Sequence, residues 1–262
     1  MAVDTLWEIG ESSMNWRAWL RRWDAQQATY MPDREHRFEV LIDALEALAG
    51  ERPVVLDLGC GPGSLAARIV ARLPRARVLA IDWDPLLLEM GRRAHRSLTN
   101  LTFVDADLRS DGWTGLLALD APVDAAVSTT ALHWFHPDEL RRLYRQIAEL
   151  LRPGGVLLDG DHLAFPPPLG RLAEAARTMR KKHASRRKAA EAETWEEWWD
   201  AVGREPEAQP LLLERERRRH EHPFADHSLP TEDHVRALVD AGFSEAGLLW
   251  QHGDDRILAA VR

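Results

Sequence analysis

The stretch Val54-Val55-Leu56-Asp57-Leu58-Gly59-Cys60-Gly61-Pro62-Gly63-Ser64-Leu65 decides the fold of this chain. Its apolar beginning is typical of a strand that is buried on both faces in a parallel sheet. Gly59, Gly61 and Gly63 follow, and they permit backbone angles and a close ligand approach that side chains would forbid. Residues 65–73 then repeat apolar positions at helical spacing. The order of strand, glycine turn and helix predicts the opening of a doubly wound sheet, with a ligand at the carboxyl end of the strand.

The glycine spacing separates two classes of nucleotide cofactor. A dinucleotide fingerprint places its third glycine one position later, where Ser64 stands, and has no aspartate directly before the turn. A pyrophosphate suits a bare helix N-terminus, whereas Asp57 suits a ligand that carries an ammonium group. The motif D-L-G-C-G-P-G, residues 57–63, resembles the first motif of class I S-adenosylmethionine-dependent methyltransferases. This resemblance implies S-adenosylmethionine as cofactor, with Asp57 and the three glycines around its methionine part.

Composition limits the function classes. The 262 residues suit one domain with an appended subdomain, and the net charge of -8 gives no basic footprint for nucleic acid. The single cysteine, Cys60, cannot form an intrachain disulfide, and no apolar run approaches the roughly 20 residues of a bilayer span. Met1 to Gly10 lacks the pattern of a secretory leader. We therefore expect a cytoplasmic monomer or homodimer that acts on a small molecule, without nucleic-acid or membrane partners.

Apolar periodicity predicts helices and strands that alternate along most of the chain. The predicted helices cover 16–27, 33–49, 65–73, 86–97, 138–151 and 232–241. After the first strand, the predicted strands cover 78–81, 101–104, 123–127, 156–158, 246–250 and 257–261. This order predicts an α/β fold that is Rossmann-like, with a mostly parallel sheet behind N-terminal helices. The last two strands resemble the antiparallel hairpin that ends the seven-stranded methyltransferase sheet.

The alternation breaks after Leu158. Residues 166–219 contain three consecutive prolines, a charged helical stretch and the tryptophan-rich patch at 195–199. We interpret this region as a helical lid over the substrate. The predicted organisation is therefore a cofactor-binding core with N-terminal helices at 1–162, a lid insertion at 163–228 and the end of the core sheet at 229–262.

Acidic residues follow the second and third predicted strands. Asp82 can accept hydrogen bonds from both ribose hydroxyls of a nucleoside, and Trp83 is expected against one adenine face. After the third strand, the resemblance implies that Asp107 accepts a hydrogen bond from the adenine amino group while the Leu108 amide meets a ring nitrogen. Asp105 is the alternative for the role of Asp107.

The segment that follows the fourth strand, 128–135, lies at the predicted switch point of the sheet, where donor and acceptor must meet. Thr129 is expected at the cofactor. The ending A-L-H-W resembles small-molecule methyltransferases of the trans-aconitate and juvenile hormone acid type, which methylate carboxylates. The Asp/Asn-Pro-Pro-Tyr sequence of enzymes that methylate nucleobase amines is absent here. His133 is the candidate catalytic base, with a structural histidine as the alternative, and Trp134 is a candidate acceptor contact.

The N-terminal helices carry further candidates. The resemblance implies that Tyr30 and Arg34 cover the cofactor, and an arginine there can pair with its carboxylate. Trp16, Trp19 and Trp23 repeat at helical spacing, which fits either a core-facing stripe or a ligand-lining one. We keep Trp19 as a candidate acceptor contact.

Two other clusters have ordinary explanations. The histidines at 220, 222 and 227 match no zinc spacing, so no metal is expected. The basic run 180–188 is typical of a solvated helix face.

The resulting prediction is transfer of the methyl group of S-adenosylmethionine to a small acceptor, preferably a carboxylate oxygen, with a hydroxyl also open. Three alternatives remain: a protein that binds the cofactor without methylating, an RNA methyltransferase and a nicotinamide-dependent oxidoreductase.

Overall fold

A computed structural model describes residues 14–187, 193–221 and 226–262, so the leader expectation for Met1 to Gly10 lies outside the described residues. Seven strands form one sheet in the order β3-β2-β1-β4-β5-β7-β6. The strands are β1 (Val54–Leu58), β2 (Arg77–Asp82), β3 (Leu101–Asp105), β4 (Val123–Thr129), β5 (Leu151–His162), β6 (Glu245–His252) and β7 (Asp255–Val261). Strand β7 alone runs antiparallel to its neighbours, β5 and β6. The predicted Rossmann-like fold with a closing antiparallel hairpin is confirmed.

The α-helices lie on the two faces of the sheet and beside it. Their bounds are α1 (Trp16–Tyr30), α2 (Arg34–Ala49), α3 (Ser64–Arg72), α4 (Pro85–Ala94), α5 (Pro137–Leu150), α6 (Gly170–Arg187), α7 (Trp195–Val202), α8 (Gln209–Glu221) and α9 (Thr231–Asp240). Helix α4 begins where sequence chemistry places a start, because the Asp84 side chain accepts hydrogen bonds from two amides of the first turn and Pro85 follows.

Two apolar clusters cover the faces of the sheet. One packs α5 and α9 against the sheet, with Trp113, Tyr144 and Leu238 fully buried. The other packs α2 and α3, with Phe38, Leu41 and Ile69 on the opposite face. Burial of β1 on both faces explains its uninterrupted apolar sequence.

Two local features differ from the expectation. Strand β5 begins at Leu151 rather than Val156, because the Pro-Gly-Gly segment pairs irregularly with β4 at a register shift before the regular ladder resumes. A 3-10 turn at Trp113–Leu117, which the periodicity did not indicate, closes the connection between β3 and β4.

The segment predicted as an insertion contains α6, α7 and α8. Helix α7 packs on α1 and helix α8 on α4. A third apolar cluster joins them, in which the Trp23 ring centroid lies 5.0 Å from that of Trp198. In the described part of the chain, no helix is long and apolar enough to cross a membrane.

Candidate active site

A cavity of about 1100 Å³ lies at the carboxyl ends of β1, β2 and β4. It is somewhat larger than most small-molecule pockets, which measure about 300–1,000 Å³. Side chains from α1, α7 and α8 line the side opposite the sheet. Open α/β sheets bind ligands at this position, beside the point where the strand order reverses.

The glycine turn brings the backbone to the cavity wall. Gly59 has φ +68°, and a Cβ there would lie 2.4 Å from the Cβ of Ala131. Gly61 has φ +55° and also lines the cavity. Gly63 has φ +78° and begins α3, but it packs against Phe103 instead of lining the cavity. The turn after β1 thus fits against the turn after β4 only without a side chain at residue 59.

Asp57 lies under this turn and does not line the cavity. It is 1% exposed, and its Oδ2 accepts a hydrogen bond of 3.2 Å from the amide of Ala66. Its Oδ1 is buried and has no hydrogen-bond partner among the described residues. Burial raises the pKa of this carboxyl to about 7. A buried, underbonded carboxylate is costly, so this atom is suited to a donor that arrives with a ligand.

Asp82 joins the turns after β1 and β2. Its Oδ2 accepts a hydrogen bond of 2.7 Å from the Gly61 amide, and its Oδ1 accepts from the amides of Trp83 and Asp84. Burial raises its pKa to about 6. Both Asp82 and Trp83 line the cavity, so the carboxylate and the ring face the same space.

The two acidic candidates after β3 face different partners. Asp107 lines the cavity, and its Oδ1 accepts a hydrogen bond from the Arg109 amide at 2.9 Å. Leu108 lines it as well. Asp105 is held instead by Arg218 of α8, with two bonds of 2.7 and 3.0 Å. The geometry therefore favours Asp107 over Asp105 as the cavity-facing carboxylate.

Tyr30 and Arg34 lie on the helical side of the cavity. The Tyr30 hydroxyl accepts a hydrogen bond of 3.0 Å from the Trp195 amide, which ties the end of α1 to the start of α7. Arg34 is 5% exposed and pairs with Asp24 at 3.0 Å. Its Nη1 is buried and makes no hydrogen bond within the described ranges. Burial lowers the pKa of Arg34, which makes an additional anionic partner favourable there.

His133 is held by a buried carboxylate. Its Nδ1 lies 2.9 and 3.1 Å from the two carboxylate oxygens of Asp161, and the His133 side chain lines the cavity. Burial alone lowers the pKa of His133, but the charge of Asp161 and the hydrogen bond to it raise the pKa above 6.5 overall. His133 in turn lowers the pKa of Asp161 to about 2, against the effect of burial. Because Nδ1 faces Asp161, Nε2 is the ring nitrogen that a ligand in the cavity could contact.

A second buried aspartate stands two residues before Asp161 on β5. Asp159 is 1% exposed, and neither of its carboxylate oxygens has a hydrogen-bond partner among the described residues. Burial and the charge of Asp161 raise the pKa of Asp159 well above its usual range. Two close carboxylates do not both ionise easily, so the negative charge belongs to Asp161, which has His133 as its partner.

The end of β4 is held in place by a buried arginine of α2. Arg37 is fully buried and donates hydrogen bonds to Thr129 at 3.0 Å and to Asp255 at 2.8 Å. The next residue, Thr130, has φ +51°, an uncommon backbone conformation for a β-branched residue. Thr129 and Thr130 both line the cavity. Such strain, held in place by surrounding contacts, is typical of functional turns.

The tryptophans divide between core and cavity. Trp19 is buried in the apolar cluster, edge-to-face with Trp198 at 5.8 Å, and lies outside the cavity lining. Trp23 lines the cavity together with Trp134, which is 36% exposed. Sequence periodicity could not separate Trp19 from Trp23, because both lie on the buried face of α1.

Helix α8 covers the cavity beside Asp82 and Trp83 through two arginines. Arg215 donates to Asp84 at 2.5 Å and stacks 3.9 Å above the Trp199 ring. Arg218 contacts Asp105 and also donates to the Trp83 carbonyl at 2.5 Å. Sequence patterns indicated neither these arginines nor Arg37 and Asp161, because their partners are distant in the chain. The one available signal was the pair of aspartates, Asp159 and Asp161, directly after the apolar run 156–158 of β5.

Two of the histidines considered for a metal have separate neighbours. His220 is exposed and lies 3.5 Å from Glu216 one turn earlier, while His227 lies edge-to-face with His136. His222 lies outside the described residues.

Comparison with known proteins adds to this geometry. Residues 55–155 match the family described as "Methyltransferase domain". Trans-aconitate 2-methyltransferase of Methylobacterium nodulans is 32% identical over 198 residues, 69% of this chain and 68% of the relative. The enzyme of the same name from Deinococcus radiodurans is 37% identical over 137 residues, 49% of this chain and 48% of the relative. The chain thus spans about half the length of some curated relatives that it matches.

Solved structures agree in fold. Human N-acetylserotonin methyltransferase, crystallised with S-adenosylmethionine, superposes with a TM-score of 0.56 at 16% identity, over 94% of this chain and 57% of that chain. By sequence and fold, this chain belongs to the class I S-adenosylmethionine-dependent methyltransferases, of the trans-aconitate methyltransferase type.

Proposed function

We propose that the protein transfers the methyl group of S-adenosylmethionine to a small organic acid and forms a methyl ester. The observation that carries the proposal is the contact of His133 with Asp161 beside the glycine turn. It puts an imidazole whose protonated form is stabilised by Asp161 in the same cavity as Asp82 and Asp107, two carboxylates suited to the donor. The trans-aconitate relatives support a carboxylate acceptor.

The described residues fit the donor along its length. Asp57 Oδ1, which is buried under the glycine turn without a hydrogen-bond partner among the described residues, suits the ammonium of the methionine part through water. Arg34 Nη1, equally buried, suits its carboxylate. Asp82 suits the ribose hydroxyls, Trp83 one adenine face, and Asp107 with Leu108 the adenine edge. When bound, S-adenosylmethionine supplies an electrophilic methyl group on a sulfonium.

Two side chains that can carry positive charge, His133 and Arg180, line the acceptor side of the cavity. His162 lines it as well, but burial lowers the pKa of His162 and disfavours its charged form. His133 has its pKa raised by Asp161, so its protonated form persists further toward neutral pH than that of a free imidazole. A protonated His133 can donate a hydrogen bond to one acceptor carboxylate while another carboxylate oxygen of the same acid attacks the methyl group. Because a carboxylate is already ionised at pH 7, no proton need be removed.

The chain's residues then act mainly through alignment and exclusion of water. Thr129, which Arg37 holds by a hydrogen bond, and the adjacent Thr130 shape the wall between the two ligands. The tryptophans of α1 and α7 cover the cavity and remove water from the charged groups. Holding two reactants in line can supply about 7–11 kcal/mol of the barrier reduction.

A hydroxyl acceptor is the second candidate, favoured by the same His133–Asp161 contact. A histidine held by a carboxylate is well placed to accept a hydroxyl proton. The two candidates make opposite predictions for pH dependence, because one needs protonated His133 and the other needs it neutral.

Titration calorimetry with S-adenosylhomocysteine and with NAD tests the donor. We expect saturable one-to-one binding of S-adenosylhomocysteine and none of NAD. Binding of NAD alone would indicate an oxidoreductase. RNA binding that weakens as the salt concentration rises would favour the RNA methyltransferase alternative.

A further inference from the structure

Three side chains from distant parts of the sequence meet outside the large cavity. Asp33 precedes α2, His183 lies on α6, and His252 ends β6. In the described part of the chain they form the one group of three or more histidine, cysteine or acidic side chains with the spacing of a metal site.

The separations between their donor atoms suit a tetrahedral metal ion. His183 Nε2 lies 3.2 Å from Asp33 Oδ1, and His252 Nδ1 lies 2.6 Å from Asp33 Oδ2. One donor atom from each residue can be chosen so that all three lie within 4.8 Å of one another. Zinc bonds of about 2.0–2.1 Å in tetrahedral geometry require donor atoms about 3.3 Å apart. Both observed separations lie below this value and the whole group lies within 4.8 Å, so rotations that move the rings slightly away from the carboxylate would give the required spacing.

The space beside the three residues suits one ion or one water molecule. Asp33, His183 and His252 line a small cavity of about 20 Å³, together with His162 and Asp254. A cavity of about 10–15 Å³ holds one water molecule. The cavity therefore has room for one such ligand beside the three donor residues.

The local charges favour a cation at the carboxylate. Arg180, which lines the small cavity, already pairs with Asp254 at 3.1 Å, and Arg37 pairs with Asp255, another lining residue, at 2.8 Å. Asp33, in contrast, faces the two imidazoles. His183 Nε2 is buried and makes no hydrogen bond of good geometry to a described residue, despite its closeness to Asp33. A metal ion would use that lone pair.

We propose that Asp33, His183 and His252 form a binding site for a divalent transition-metal ion of the zinc class. Two imidazole nitrogens and one carboxylate oxygen are donors that zinc accepts readily, whereas magnesium and calcium prefer oxygen alone. The ion would tie α6 to α2 and to the β6–β7 hairpin. Because Arg180 on α6 lines both cavities, the ion would also fix this arginine at the acceptor side.

Metal titration of the tag-free full chain tests the site. Zinc binding is measured by calorimetry and by metal analysis after dialysis, for the wild type, His183→Ala and His252→Ala. His220→Ala on α8 is the matched control, because that ring is exposed and far from Asp33 in sequence. We expect one zinc ion per wild-type chain and a loss of zinc affinity above about 100-fold in His183→Ala and in His252→Ala. Loss of a residue that only hydrogen-bonds to a metal ligand already costs about 10–100-fold in metal affinity. The control should stay within about twofold.

The visible absorption spectrum of the cobalt(II)-loaded wild type tests the site even if a variant does not fold. Cobalt(II) added to the wild type should give the intense visible absorption of a tetrahedral site, and zinc should displace it. Weak absorption of the hydrated ion would overturn the proposal. So would unchanged zinc affinity in either ligand variant that folds, equal loss in His220→Ala, or fewer than one zinc ion per chain at saturation.

Discussion

The Nδ1 atom of His133 lies 2.9 Å from a carboxylate oxygen of Asp161, a residue that is 1% exposed. This contact raises the pKa of His133 above 6.5. For a carboxylate acceptor, kcat/KM should be highest below that pKa and fall as the pH rises through it, because the imidazolium loses its charge. Initial rates at fixed ionic strength over the neutral range measure this. A rise with pH would indicate a hydroxyl acceptor and His133 as base.

His133→Asn should lower kcat/KM modestly, by about tenfold, because asparagine keeps a donor but loses the charge. The decline of kcat/KM at high pH should disappear with it. A loss above about a thousandfold would instead indicate a required base. Cofactor affinity serves as the control and should stay within about twofold.

Asp161→Asn should lower the pKa of His133, because the charge that stabilises the imidazolium is removed while a hydrogen-bond partner remains. Titration of the His133 ring by NMR measures the shift directly. The fall of kcat/KM with pH should move to lower pH by the same amount. An unchanged His133 pKa would contradict the assigned role of the contact.

Asp57→Asn should separate stability from binding. The pKa of Asp57 is raised from 3.8 to about 7, so the folded chain holds an extra proton between these values and loses stability as the pH rises through them. The variant should therefore be more stable than the wild type above pH 7, by on the order of 1–3 kcal/mol, and no more stable near pH 4. Denaturant unfolding of the ligand-free chain measures this difference. S-Adenosylhomocysteine affinity should fall about 10- to 100-fold, and equal affinity would contradict the ammonium contact.

Gly59→Ala should destabilise the chain by about 1–3 kcal/mol, because its Cβ would lie 2.4 Å from that of Ala131 at φ +68°. Gly50→Ala is the matched control, since Gly50 has φ +81° with open space around it and carries the backbone strain alone. The additional loss of stability in Gly59→Ala over Gly50→Ala measures the effect of the close approach between the turns after β1 and β4. Equal losses would show that the turns can separate freely.

The sequence predicted those parts of the molecule that depend on neighbours in the chain. Uninterrupted apolar strands, the glycine turn and the acidic ends of β2 and β3 follow from local periodicity and residue chemistry. Contacts between distant residues were not accessible in the same way. Arg37 meets Thr129 across 92 positions, and Arg218 meets Asp105 across 113. Likewise Trp19 and Trp23 share one helical stripe and pack in the same apolar cluster with α7, and only the folded structure shows that Trp23 also lines the cavity.

Methyl transfer to a panel of small organic acids and phenols tests the central claim most directly. The chain is incubated with S-adenosylmethionine labelled in the methyl group, and S-adenosylhomocysteine and labelled product are quantified before and after mild base. We expect stoichiometric S-adenosylhomocysteine with a carboxylic acid and a product whose label is released as methanol. A base-stable product would contradict the carboxylate acceptor. Tight cofactor binding without S-adenosylhomocysteine from any acceptor would contradict methyl transfer itself.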